Sequence, residues 1–92
     1  MSPTTNDAEA LALSALAATL TDERRAKRFL ELTGLSPDGI RSRLGERSLL
    51  ASTLAFLENH EPDLVDVSEA IGCKPEALIA ARAELELSLI HI

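Results

Sequence analysis

Two short stretches constrain this chain more than anything else in it. Gly34-Leu35-Ser36-Pro37-Asp38 and Gly72-Cys73-Lys74-Pro75-Glu76 each place a glycine three residues ahead of a proline that is followed by an acid. Glycine accepts the left-handed backbone that ends a helix, and proline, with its fixed φ and missing N–H, suits the first turn of the next one. A helix stop and a helix start separated by two residues leave room only for a tight turn. Between these marks apolar residues recur at helical spacing, and no alternating run of β-branched residues occurs. Four glycines and four prolines in 92 residues are too few turns for many short strands. The fold class is read as all-α, a compact bundle of about six short helices.

The first helix is expected over about Asp7–Leu20, capped by Asn6 with Glu9 three residues on, and residues 1–6 as a disordered tail. Its apolar stripe is read as Leu13, Leu16, Ala17 and Leu20, widened by Leu11 and Ala10. Thr21 is expected to cap a second helix over Asp22–Thr33, with Ala26, Phe29, Leu30 and Thr33 inward. Ser36 and Pro37 open a short third helix ending near Leu44-Gly45. The fourth, about Glu46–Glu58, carries Leu49, Leu50, Leu54, Phe56 and Leu57 on nearly every side, which marks it as the central helix. Glu61-Pro62-Asp63 opens the fifth, with Leu64, Val65, Val67 and Ile71. Pro75 opens the sixth, with Leu78, Ile79, Ala81 and Leu85 inward. Residues 7–86 are read as one domain.

The punctuation repeats at an interval of 38 residues. Shifting residues 8–48 onto 46–86 gives nine identities, Gly34 on Gly72 and Pro37 on Pro75 among them, where this composition would give roughly three. Two three-helix units packed face to face are the expectation that follows.

Charge is unevenly spread. The net charge is −6, yet residues 24–47 hold seven bases against three acids between acidic flanks. Arg24, Arg25, Lys27, Arg28, Arg41, Arg43 and Arg47 are the candidate partner-binding set, a basic face on the second and third helices that would dock an acidic protein. Because the chain's own C-terminal half is acidic, a homodimer is a second outcome of the same chemistry. The bland alternative is a solvated surface on which Glu23–Lys27 and Arg28–Glu31 pair along the helix, at a few tenths of a kcal/mol each.

Other functions find less material. Val67–Leu78 has the rhythm of a helix-turn-helix, but its second helix offers Glu76, Glu84 and Glu86 beside Arg82, which would repel phosphate. A nucleic-acid-binding accessory role is the alternative reading, better placed on Arg41 and Arg43, and nucleic acid is not the expected partner. Cys73 is the single cysteine, which rules out a disulfide framework and fits a reducing compartment. It sits between apolar neighbours with no His or Asp to activate it, and reads as a small buried hydrophobe. His60 lacks the companions a metal site needs. Catalytic residues, metal and cofactor are therefore read as none, and an enzyme is not expected. The apolar run Ala8–Leu20 is shorter than the ~20 residues of a membrane helix, so the cytoplasm is the expected location.

With the helices placed, the chain resembles a small alphaproteobacterial family of uncharacterised proteins, domain of unknown function 3572. The residues carrying the resemblance are Ala10-Leu11-Ala12-Leu13-x-Ala15-Leu16, then Arg28-Phe29-Leu30-Glu31-Leu32-Thr33-Gly34-Leu35-Ser36-Pro37-Asp38-x-x-Arg41. Leu54-Ala55-Phe56-Leu57-Glu58-Asn59-His60-Glu61 follows, and then Gly72-x-x-Pro75-Glu76 with Ala80-Ala81-Arg82-x-x-Leu85. The resemblance implies a compact helical bacterial protein and no activity. Asn59-His60-Glu61 departs from the more acidic turn of the family, and the family's polar, glycine-containing C-terminus is missing. The closing hexapeptide Leu87-Ser88-Leu89-Ile90-His91-Ile92 corresponds to one reading frame of a common transposase sequencing adapter, so residues 87–92 are expected to be a non-native tail.

Overall fold

The computed structural model describes residues 4–89 and contains six helices: α1 (Thr4–Thr19), α2 (Glu23–Thr33), α3 (Pro37–Ser42), α4 (Arg47–Glu58), α5 (Glu61–Ile71) and α6 (Pro75–Leu89). No strand occurs among the described residues, and the all-α reading holds. The radius of gyration is 12.5 Å, close to the ~12 Å expected of one globule of this length.

The expected punctuation forms the helix ends. Gly34 (φ 73°) and Gly72 (φ 77°) both adopt the left-handed conformation. Past α5, Cys73 N–H donates to Ser68 O (2.9 Å) and Gly72 N–H to Glu69 O (3.2 Å), the paired bonds of a Schellman stop. Past α2 there is one such bond, Gly34 N–H to Leu30 O at 2.9 Å. A Cβ at Gly72 would meet nothing within 4 Å, so only backbone strain opposes it. Gly72→Ala is expected to lower stability by about 1–2 kcal/mol, measured by urea unfolding. A cost near zero would contradict the left-handed assignment.

Several ends move. α1 begins at Thr4, so residues 4–6 belong to the helix and Asn6 lies inside it rather than capping it. Residues 1–3 of the expected tail and 90–92 of the expected scar lie outside the described residues. Leu87, Ser88 and Leu89 continue α6. The cap of α2 is Asp22, not Thr21: its carboxylate accepts Arg25 N–H at 2.9 Å, while the Thr21 hydroxyl turns back to Ala18 O at 2.7 Å. Ser36 caps α3 as expected, accepting Gly39 N–H at 3.0 Å.

α4 lies at the centre, with Leu49, Leu50, Ala51, Thr53, Leu54, Phe56 and Leu57 buried. α6 and α1 pack on it and on each other, and α5 completes this group. The larger correction concerns α1. Of its expected stripe only Leu16 is buried; Leu13, Ala17 and Leu20 are exposed, and Ala8, Ala12, Ala15 and Thr19 face inward instead. α1 must approach α4, α5 and α6 together, and small side chains permit that approach where leucines would hold the helices apart. Val65 and Ile79, also expected inward, are partly exposed.

Polar groups inside the bundle are satisfied locally. Thr19, Thr53 and Ser68 each donate to the carbonyl four residues back, at 2.7, 2.9 and 2.6 Å. No buried side-chain nitrogen or oxygen lacks a partner among the described residues. Phe29, the one buried apolar residue of α2, meets Phe56 edge-to-face at 5.2 Å. α3 is held by a single buried side chain, Ile40.

The 38-residue repeat does not extend from punctuation to packing. α2 shifted by 38 positions coincides with α5, yet α4 and α6 form the most extensive contact while their counterparts α1 and α3 do not. α1 instead joins the second half of the chain. The reason is size: α3 has six residues and one buried side chain, too little to build a core with α1 and α2.

Candidate functional site

The basic residues that sequence places on one face differ in burial and in partners. Arg25 is 8 % exposed and belongs to the interior. Its guanidinium donates through Nη2 to Ala18 O (2.8 Å) and through Nε to Thr19 O (3.2 Å). These carbonyls end α1, where no glycine closes the helix and the dipole is negative, so a cation suits the position. Arg25 is therefore withdrawn from the docking set. The gap of three residues between α1 and α2, with no glycine in it, is the sequence signal that some side chain must close α1. Arg25→Ala is expected to cost about 1–3 kcal/mol in urea unfolding. Arg24→Ala, at an exposed position, should stay within about 0.5 kcal/mol. Equal effects would refute the cap.

Three more cations are engaged. Arg28 pairs with Asp63, a buried carboxylate on α5, and its guanidinium carbon stands 5.5 Å from the Phe56 ring centroid. Arg47 pairs with Glu9 at 2.5 Å, tying the start of α4 to α1. Arg41 pairs with Asp38 at 2.7 Å within α3, fully in solvent. The expected pairs Glu23–Lys27 and Arg28–Glu31 do not form. Arg24, Lys27 and Arg43 make no ion pair among the described residues. Arg82, read from sequence as part of an outward helix face, bridges Glu58 (2.5 Å) and Glu86 (2.8 Å) and so ties α6 to α4. Hydrogen bonds to Glu58 first and Glu86 second hold its guanidinium proton more tightly than usual.

Beside these cations the fold assembles an apolar groove. It lies between the C-terminal half of α1, the inner edge of α2 and the whole of α3, with a volume of about 470 Å³. Leu16, Leu20, Leu30, Pro37, Ile40 and Leu44 form most of its wall, with Ala17 and Ala26. Arg41 is the one charged residue in that wall. Leu20 and Leu44 stand at its mouth, 37 % and 39 % exposed. Three of the four residues of the apolar stripe expected to bury α1 in the core, Leu16, Ala17 and Leu20, thus line the groove. Leu44, expected at the end of the third helix, lies instead in the turn after it, since α3 stops at Ser42.

A second depression of about 440 Å³ runs between the end of α2 and the outer side of α4, with Leu32, 75 % exposed, on its edge. Its wall is mixed, including Arg43, Glu46, Ser48, Ser52 and Asn59.

The sequence model of the DUF3572 family, described as "Protein of unknown function (DUF3572)", matches residues 5–87. The chain belongs to the DUF3572 family. No curated protein and no solved structure matches it. In this DUF3572 chain the matched segment takes in all but the edges of the helical body, the groove included.

Other residues with chemical potential are placed quietly. Cys73 is half-buried against the core, and burial raises its thiol pKa above the ordinary value, opposed in part by a hydrogen bond with Ser68. Less thiolate at neutral pH means a slow nucleophile. His60 stands at the N-cap of α5 without a side-chain cap bond. No cluster of three or more His, Cys, Asp or Glu suited to a metal occurs among the described residues, and no described helix is long and apolar enough to cross a membrane.

Proposed function

We propose that this domain is a non-enzymatic docking module for another protein, acting in the cytoplasm through the groove of α1, α2 and α3. The observation that carries the reading is the groove itself: an apolar hollow with a single charged residue in its wall and with Leu20 and Leu44 left partly in solvent at its mouth. Apolar hollows with few polar groups favour binding of apolar anchors over bond-making chemistry, which calls for several convergent ionisable groups. The free cations Arg24, Lys27 and Arg43 supply a field that would draw an acidic partner toward this half of the molecule. A nucleic-acid role finds weaker support, since Arg25 is buried, Arg28 and Arg47 are paired with carboxylates, and α6 presents Glu76 and Glu84.

The test compares immobilised wild type with L20S/L44D, which alters the mouth at two exposed positions, against a bacterial extract at about 50 mM salt. A protein retained by the wild type and lost from the variant supports the groove. Identical retention by both removes it, and retention that disappears on nuclease treatment replaces it with the nucleic-acid reading.

A further inference from the structure

We propose that the occupant of the groove is the exposed face of α6 from a second copy of this chain. The inference rests on the docking reading and names its partner. Along the outer side of α6, Glu76, Ala80 and Ala83 form a crest, with Ile79, 41 % exposed, on one flank and Glu84 on the other. Three properties match this face to the groove.

The first is length. The groove follows α1 from Leu16 to Leu20, about 6 Å at the helical rise. Ile79 to Ala83 covers the same about 6 Å of α6, with Glu76 and Glu84 beyond its two ends. The second is relief. Two alanines on the crest let the helix axis sink toward the wall, as Ala8, Ala12 and Ala15 already do for α1 inside the body, and Ile79 supplies an anchor for the hollow. The third is charge. Glu76 and Glu84 make no ion pair among the described residues and bracket the apolar middle two turns apart. Arg41 in the groove wall is held by Asp38. The cations on offer are exposed Lys27 next to Ala26 and Arg43 next to Leu44, both unpaired among the described residues, with Glu23 the nearby acid. The exposed face of α5 is a poorer match, because Asp66 and Glu69 stand beside Val65 and would have to enter the apolar hollow. Leu87, in the expected adapter-encoded tail, is not required for the contact.

Groove and helix are different surfaces, so either two copies close both contacts reciprocally about a two-fold axis or several join head to tail. Either way, each contact needs one intact groove and one intact α6. The experiment is sedimentation velocity on the full chain up to about 1 mM at low salt, with L20S/L44D and A83R, each verified as folded by circular dichroism. A83R sets a bulky cation against Lys27 and Arg43. The wild type should exceed the monomer mass of 9.9 kDa at least twofold, and each variant alone should sediment as monomer. An equimolar mixture of the two variants should recover a dimer, since one good groove then meets one good α6. Raising salt to about 0.5 M should weaken the wild-type association several-fold. A wild type monomeric throughout, a variant that associates as the wild type does, or a mixture that stays monomeric overturns the proposal. A monomeric wild type leaves the docking reading standing if L20S/L44D still loses a protein that A83R retains.

Discussion

Alanine at position 29 should remove about 3–5 kcal/mol of stability, the largest loss from any single truncation in this chain. A domain of this size holds only about 5–14 kcal/mol in total, so Phe29→Ala brings it near the folding threshold. Phe29 is wholly buried, is the one fully buried apolar side chain of α2, and meets the ring of the protein's other phenylalanine. Its partner ring, Phe56, lies under the Arg28 guanidinium, which in turn pairs with Asp63 on α5. Removing Phe29 therefore opens a cavity and loosens the fastening of α2 to α4 and α5 at once. Urea unfolding should show the loss, and amides of α2 should exchange faster than those of α6. A change under about 1 kcal/mol would mean that α2 is held by something other than this contact.

The second large effect is expected where a side chain is enlarged. Ala12 is completely buried on the face of α1 that meets α4, α5 and α6, and nothing larger than a methyl group fits between close helices. Ala12→Leu should cost about 1–3 kcal/mol or more through forced separation of α1 from its neighbours. Leu13→Ala, one residue on and 38 % exposed, should cost less than about 1 kcal/mol. The pair separates two arrangements of the same helix. Were Leu13 the core residue its place in the apolar stripe implies, the order of the two effects would be reversed, and calorimetric melting of both variants decides between them.

The helix ends were the most legible part of the fold. Glycine with φ near +75°, serine followed by proline, and proline followed by glutamate act on the backbone within a turn, so Gly34, Ser36-Pro37 and Gly72 declare themselves without knowledge of neighbours. The central place of α4 was legible for a related reason: a helix with leucines on every side has no face it can leave in water. The facing of α1 was not. Its residues are alanine and leucine nearly all round, so periodicity offers several equivalent stripes, and the closeness of three partner helices selects the one made of alanines.

The candidate site divides along the same line. Sequence counts seven cations in residues 24–47, and the count is right. Whether a cation is free depends on groups of other helices: the Ala18 and Thr19 carbonyls for Arg25, and the distant carboxylates of Asp63 for Arg28 and Glu9 for Arg47. The groove was illegible for the same reason, because its wall comes from three helices and is apolar only in their company.

The amino-acid order alone thus determined that the described residues form six helices with breaks at Gly34 and Gly72, and that leucine-rich α4 must be covered. Tertiary structure decided which side of α1 is inside, which arginines are structural, and that leucines meant for a core line an open groove. Helix signals act over a few residues through backbone geometry, whereas burial and ion pairing depend on which distant surfaces meet.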